Sequence, residues 1–281
     1  MSPVWVITRL TLLEASRRRI LQAAVVLGVL FLGLFSLGFY FMRGSVETAA
    51  ASAPASDVGL KEFYNFLLMA GLYAISFLSI AMGAILAADT LAGEVNSGTI
   101  QALVAKPVHR AEIVAGKWLG FALLLGAYLL LMAGGVMLSV WMQTGYAAPN
   151  IVSGLSLMYA DCLIIMTVTL ACSSSLSTLA TGGVVFGMYG IAFLGGWVEQ
   201  LGTLAGNSTA VNIGILSSLA VPSEALWRLA AFEMTAPLVQ RIGFSPFSAA
   251  SPPSTLMVFY AGLYFLAALA LAIRQFNRRD L

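Results

Sequence analysis

Six long apolar runs alternate with polar stretches along the 281-residue chain. Each run covers the roughly 20 residues that a helix needs to cross about 30 Å of hydrocarbon. Inside a bilayer only helices and closed barrels satisfy their own backbone groups, and unbroken runs favour helices because barrel strands alternate over about ten residues. The pattern therefore predicts an all-α integral membrane protein with six transmembrane helices, at residues 20–42, 63–88, 113–141, 154–176, 179–198 and 255–274.

Composition indicates one membrane-embedded domain over residues 1–281. The chain is 60% hydrophobic and 9% charged, whereas a soluble domain carries about a quarter charged residues. A net charge of +2 is too small to indicate nucleic acid as a partner. The partner that composition does indicate is the lipid bilayer.

Lysine and arginine residues predict the orientation in the membrane. With the N-terminus inside, ten of the 14 lie in inner segments and four in outer segments. The positive-inside rule then predicts a multi-pass protein of the cell (inner or plasma) membrane with both termini in the cytoplasm. The inner ten are Arg9, Arg17, Arg18, Arg19, Lys106, Arg110, Lys117, Arg274, Arg278 and Arg279, and the outer four are Arg43, Lys61, Arg228 and Arg241.

Two segments outside the spans predict helices at the membrane surface. In residues 1–19, Val6, Leu10 and Leu13 share one helical face, as in an amphipathic interfacial helix. Residues 199–254, on the outer side, contain apolar patches too short or too mixed to span. A Pro-Ser-Glu sequence there is typical of a helix start, so we expect short helices that lie at the outer interface or dip into it.

Few residues are suited to catalysis or metal binding. Cys162 and Cys172 have no accompanying histidine, so we interpret both as apolar packing residues. The single histidine, His109, lies at the predicted inner membrane edge, where it is expected to be a headgroup-level polar residue. A Walker A motif is absent, because Ala111 stands where the first glycine belongs and Lys117 is not followed by serine or threonine. We expect no catalytic residue, metal or cofactor in this chain.

The longest polar interruption in the first half of the chain, residues 94–117, reads EVNSGTIQALVAKPVHRAEIVAGK. Its middle has the pattern of a short helix, because a polar capping residue precedes TIQALVAK and Pro107 follows it. Ile100, Leu103 and Val104 place apolar bulk on one side. On the cytoplasmic side, such a face predicts either a protein-docking surface or a helix that rests on lipid headgroups.

Small residues predict close helix packing at two places. Gly116 and Gly120 form a GxxxG pair where the third span begins. Gly183 and Gly187 form another pair in the fifth span. Such pairs let two helix backbones approach each other closely.

Asp161 is an acid that falls well inside the fourth predicted span. An ionised acid at the bilayer centre costs about 2.5–3.5 kcal/mol on insertion scales, so it usually faces protein or water. Two interpretations stay open. Asp161 lines a translocation path, or it forms a hydrogen bond to a neighbouring helix.

The polar segment resembles the cytoplasmic loop of ABC-2 type permeases, which are the membrane subunits of ABC exporters. The start TLLEASRRR and the ending FNRRDL are also similar to that family, and the chain loosely resembles the permeases of nitrous-oxide-reductase maturation transporters. The loop residues that carry the resemblance are Glu94, Gly98, Thr99, Leu103, Pro107, Arg110 and Lys117.

The resemblance implies a type V exporter-like fold and the function of a permease. Two permeases would pair, and each would dock on one of two cytosolic ABC ATPase subunits, which would bind the ATP and Mg²⁺. The loop over residues 89–112 would hold a coupling helix within 94–106, and Gly183 and Gly187 would lie near the permease dimer seam. The residues implied to contact the ATPase are Glu94, Gly98, Thr99, Ile100, Leu103, Val104, Pro107 and Arg110.

Two other functions stay open on the sequence. An ATP-independent secondary transporter would need inverted repeats and more buried ionisable groups, and the two halves show no evident similarity. An intramembrane enzyme would need convergent Ser, His and Asp residues or a metal cluster. The sequence indicates no substrate, and the direction of export comes from the resemblance.

Overall fold

The computed structural model describes residues 2–52, 57–96, 109–235 and 253–278, and this part of the chain is helical without strands. The helices form because long apolar stretches satisfy their backbone groups internally. In chain order they are α1 (Pro3–Arg17), α2 (Arg19–Ser52), α3 (Asp57–Asn96), α4 (Arg110–Thr144), α5 (Ile151–Ser173), α6 (Thr178–Leu204), α7 (Ser208–Ala220), α8 (Ser223–Glu233) and α9 (Thr255–Arg278).

Six of these helices, α2 to α6 and α9, are long and apolar enough to cross a membrane. This confirms the predicted all-α architecture with six spans. The helices α7 and α8 are each too short to span, and they meet at a bend of 104°. Such a bent pair is typical of a re-entrant segment, and it counts as a seventh span only if both helices are taken together.

The chain runs up and down, so that helix ends gather at two ends of the bundle. Arg18, at the start of α2, contacts Asp89 in α3, and Ser174, after α5, donates a hydrogen bond to Gln275 in α9. We call this end, to which the last described turn of α9 belongs, the terminal end. At the opposite end, Asn65 in α3 donates a hydrogen bond to Tyr146, which follows α4.

The helices α3, α4 and α5 form the centre of the bundle. In the most apolar window of α3, 61% of residues are buried, against 6% in α2 and 17% in α9. Large side chains such as Leu72, Leu125 and Met158 meet in this core and are at most 1% exposed. Lipid tails are as apolar as leucine, so close packing rather than the hydrophobic effect holds such helices together.

Two features bear on the predicted boundaries and faces. Helix α3 continues to Asn96 and α4 begins at Arg110, so the interruption between them is shorter than the expected 89–112. Helix α1 leaves Leu10 and Leu13 about half exposed, which is the apolar face predicted from the sequence. Its opposite face, with Thr8 buried, packs against α4.

Candidate functional site

Most of the expected docking residues lie outside the described part of the chain. These are Gly98, Thr99, Ile100, Leu103, Val104 and Pro107. Glu94 belongs to the last turns of α3, and only its backbone is described. What the structure does describe are the two helix ends between which residues 97–108 run.

The end of α3 is tied to four other helices. The Arg18 guanidinium lies 3.1 Å from the Asp89 carboxylate and 2.6 Å from that of Glu14. The Thr178 hydroxyl donates to Asp89 over 3.4 Å, and the Ser173 hydroxyl donates to the Ala88 carbonyl over 2.8 Å. The end of α3 is therefore joined to α1 and α2, to α5 and to α6.

The start of α4 is tied to the end of α9. The Arg110 guanidinium donates to the backbone carbonyls of Phe276 and Asn277, over 3.5 and 3.3 Å. A cation at the last turn of a helix is favourable because the free carbonyls there carry partial negative charge. The Phe276 ring is fully buried in a cluster with Ile113 and Val114 of α4.

His109 precedes α4, and its backbone N–H donates to the Glu112 carboxylate over 3.0 Å. This contact satisfies one of the free N–H groups at the helix start, as in a capping box. The histidine is thus placed at a helix terminus. The contacts of His109 and Arg110 together hold the first turn of α4 in place, directly after residues 97–108.

Gly116 and Gly120 lie where α1 crosses α4. A methyl group added at Gly116 would lie 2.7 Å from the Ile7 Cβ and 2.9 Å from the Val4 carbonyl oxygen. A methyl group at Gly120 would lie 2.8 Å from the Thr11 Cβ. Because only glycine leaves room for α1, the helix that approaches this pair is the N-terminal helix, which the sequence pattern could not identify.

Gly183 and Gly187 lie in a different environment. Among the described residues, no atom of another helix is within 4 Å of a methyl group added at either position. Both residues are exposed, and so are Phe186 and Leu194 on the same helix. This face of α6 is not covered by the described chain.

Asp161 is buried in the interior, with 1% of the residue exposed. The Ser223 side chain, at the start of α8, lies within hydrogen-bonding reach of its carboxyl group. Glu224, the next residue, is 6% exposed and accepts a hydrogen bond from the Tyr73 hydroxyl over 3.4 Å. In this structure Asp161 therefore faces helix α8 of the bent pair.

An ion pair completes this buried polar region. The Arg228 guanidinium bridges both carboxylate oxygens of Glu199, at 2.7 and 2.9 Å. A two-point contact of this kind fixes both side chains. We call Tyr73, Asp161, Glu199, Ser223, Glu224 and Arg228 the intramembrane cluster.

The burial of Glu224 and Arg228 and the partial burial of Glu199 were not predicted from the sequence. The available signal was the presence of ionisable residues within otherwise apolar stretches, which usually marks a paired or functional group. The pairing depends on the bend between α7 and α8, which brings Arg228 back to α6. A hydrophobic pattern does not specify such a bend.

Residues 2–52, 57–96, 109–235 and 253–278 contain no cluster of metal-ligand side chains. No group of three or more His, Cys, Asp or Glu side chains lies close enough together to hold an ion there. Cys162 and Cys172 are both free thiols. Cys162 is buried in the core cluster, and Cys172 packs against it.

Comparisons with known proteins agree with this architecture. A family model described as ABC-2 family transporter protein matches residues 5–281. The chain is 28% identical over 141 residues to a protein of Stutzerimonas stutzeri named probable ABC transporter permease protein NosY, across 50% of this chain and 46% of that relative. The protein of the same name from Pseudomonas aeruginosa is 28% identical over 142 residues, with the same shares covered. The match spans about half the length of each of these curated relatives.

Proposed function

The chain belongs to the ABC-2 family of transporter proteins and is a membrane-spanning subunit of an ABC transporter, and from this premise we propose that it couples ATP hydrolysis on a separate cytosolic ATPase to export across the cell membrane. The match over residues 5–281 supports the family. The ATPase, the direction of transport and the position of both termini in the cytoplasm belong to the proposal.

The proposed docking site is the coupling segment, residues 94–106, at the terminal end of the bundle. The observation that carries this assignment is that both flanks of the segment are bound to the rest of the bundle. Asp89 links the α3 flank to Arg18, and Arg110 links the α4 flank to the last carbonyls of α9. An ATPase that pushes on the segment would thus move α3 and α4 together with α1 and α9, since packed helices shift as units.

A second permease is proposed to cover the exposed face of α6. At Gly183 and Gly187 on that face, no described helix lies within 4 Å of an added methyl group, and both glycines would let a partner helix approach closely. Each of the two permeases would carry one ATPase. Binding of ATP would then bias the pair between two arrangements of the helices.

Asp161 is a candidate for the translocation path only in a state in which α8 has moved. In this structure its carboxyl group is enclosed between α5 and α8. Movement of the re-entrant pair would expose both Asp161 and Glu224. The chemistry of the substrate is not part of the proposal, because the cluster contains both acidic and basic groups.

The docking proposal is tested by substituting Leu103→Glu in the full-length chain, co-expressed with the proposed ABC ATPase partner from the same organism. A charge on the apolar face should weaken binding of the ATPase by about 2 kcal/mol, roughly 30-fold, which is the usual scale for an interface hot spot. The measurement is the amount of ATPase retained on the affinity-tagged permease in detergent.

Ser175→Glu is the matched control, because Ser175 is exposed in the turn between α5 and α6 at the same end of the bundle. This variant should retain the ATPase as the unmodified chain does. Equal retention by the Leu103 and Ser175 variants would contradict docking through the coupling segment.

A further inference from the structure

The N-terminus of α8 meets the middle of α5 at Asp161. At a rise of 1.5 Å per residue, Asp161 lies roughly 15 Å from Ile151 and roughly 18 Å from Ser173, the two ends of α5. Asp161 and Ser223 are each 1% exposed. The carboxyl group therefore lies at the mid-depth of a spanning helix and is enclosed by protein.

One oxygen of this carboxyl group has no hydrogen-bond partner. Oδ1 of Asp161 is buried and accepts no hydrogen bond from a described residue. An ionised carboxylate is an acceptor only, with about four lone-pair sites to satisfy. The free N–H groups at a helix N-terminus are suited to this role. None of those at the start of α8 donates to Oδ1, so the site lacks the donors that a buried carboxylate needs.

Arg228, the cation of the intramembrane cluster, interacts with Glu199 and Glu224. Glu199 engages two guanidinium nitrogens of Arg228, at 2.7 and 2.9 Å. Glu224 lies one helical turn before Arg228 and is attracted to it, and the Tyr73 hydroxyl also donates to Glu224. Within the described chain, no lysine, arginine or histidine forms an ion pair with Asp161.

The other groups around Asp161 are neutral or acidic. Cys162 neighbours it on α5, and Tyr264 of α9 packs with Ile164 one turn further along α5. Tyr128 of α4 is turned away, since its hydroxyl donates to a carbonyl of α2. Among the described residues, the titratable and charged side chains that face Asp161 or its cluster are Tyr73 from α3, Cys162 from α5, Tyr189 and Glu199 from α6, and Glu224 and Arg228 from α8.

We propose that Asp161 is a proton-binding site, whose carboxyl group carries a proton while α8 is docked against α5. A buried acid without a cation and with few donors becomes neutral by taking up a proton instead of remaining ionised. The protonated form has fewer acceptor sites to satisfy, and its O–H can itself donate to the Ser223 hydroxyl. Loss of the proton would leave a charge beneath α8 and weaken the contact between α8 and α5.

Infrared spectroscopy of the purified full-length protein in lipid nanodiscs tests this proposal directly. At neutral pH the unmodified protein should show the carbonyl stretch of a protonated carboxylic acid, at higher frequency than the amide I band. Asp161→Asn should remove the component of this signal that Glu224→Gln leaves in place. Absence of the band from the unmodified protein, or its loss in the Glu224 variant but not in the Asp161 variant, would overturn the proposal.

The pH dependence of thermal unfolding gives a second measurement. Asp161 ionises with an ordinary pKa of about 3.9 in the unfolded chain, whereas the folded chain is proposed to keep the proton. At neutral pH the unfolded state then binds fewer protons, so stability falls as the pH rises. Asp161→Asn should unfold at a temperature that depends less on pH than that of the unmodified protein, and an unchanged pH dependence would count against the site.

The proton site rests on the contact between α5 and α8 and does not require the proposed ATPase docking. Failure of the infrared test would leave the transport role intact. Failure of the Leu103 test would leave the proton site intact.

Discussion

The terminal end of the bundle and the intramembrane cluster hold their charges in different ways. At the terminal end, Arg18 pairs with Glu14 and Asp89, whose side chains are 52% and 45% exposed. In the cluster, the paired side chains of Glu199 and Arg228 are 19% and 10% exposed.

Solvent screens the first set of charges and largely leaves the second unscreened. The ion pairs at the terminal end can therefore break and re-form with only a small change in free energy. A surface that binds and releases a partner needs contacts of this kind. The buried cluster instead behaves as one unit, in which the loss of one member leaves another uncompensated.

The largest expected effect follows from breaking the buried pair. Arg228→Ala should lower the free energy of unfolding by about 1–3 kcal/mol, because it leaves the Glu199 carboxylate, whose side chain is only 19% exposed, without its cation. Replacing both residues by neutral side chains, in Glu199→Gln with Arg228→Met, should cost less than Arg228→Ala alone. Thermal or denaturant unfolding of the protein in nanodiscs measures both variants.

The matched control at the other end is Arg18→Ala, which removes two ion pairs that solvent screens. Its effect should be at most about 1 kcal/mol, and it should shrink further at high salt. Equal losses for Arg18→Ala and Arg228→Ala would show that the two regions do not differ as described.

A comparable effect separates the two glycine pairs. Gly116→Ala should destabilise the chain by about 1–3 kcal/mol, because the new methyl group meets Ile7 and the Val4 carbonyl. Gly183→Ala should leave the stability of the single chain unchanged or raise it by up to about 1 kcal/mol, since alanine favours a helix interior and has open space there.

The two positions are compared by measuring the unfolding of both alanine variants. The oligomeric state of each variant is measured by size-exclusion chromatography with light scattering. Weaker self-association of Gly183→Ala would support the proposed dimer face. A stability loss of similar size at both positions would contradict the difference between the packed pair and the open pair.

The six spans could be predicted from the sequence because length and apolar character alone determine whether a helix can cross a bilayer. The partner of Gly116 and Gly120 could not be predicted, because a GxxxG pair indicates close approach without identifying the helix that approaches. Likewise, Glu199 and Arg228 are separated by 29 positions. Only the 104° bend between α7 and α8 brings them together, and that bend has no signature in hydrophobic periodicity.

Asp161 shows how far a single residue can be interpreted from sequence. Its place inside a span indicated that it must face protein or water, and the structure places it against protein. The sequence could not distinguish a hydrogen-bonded acid from one on a passage, because that choice depends on where α8 lies. The same limit applies to the coupling segment, whose flanking contacts come from residues far apart in the chain, such as Arg18 and Asp89.

The central claim is that this chain is the driven membrane subunit and that another chain supplies the hydrolysis. The most direct measurement is ATP hydrolysis by the purified chain in nanodiscs, alone and in complex with its co-purified ATPase. We predict no hydrolysis by the chain alone and steady hydrolysis by the complex, lost when the Walker A lysine of the ATPase is replaced. Hydrolysis of ATP by the chain alone, at a rate that survives further purification, would contradict the account.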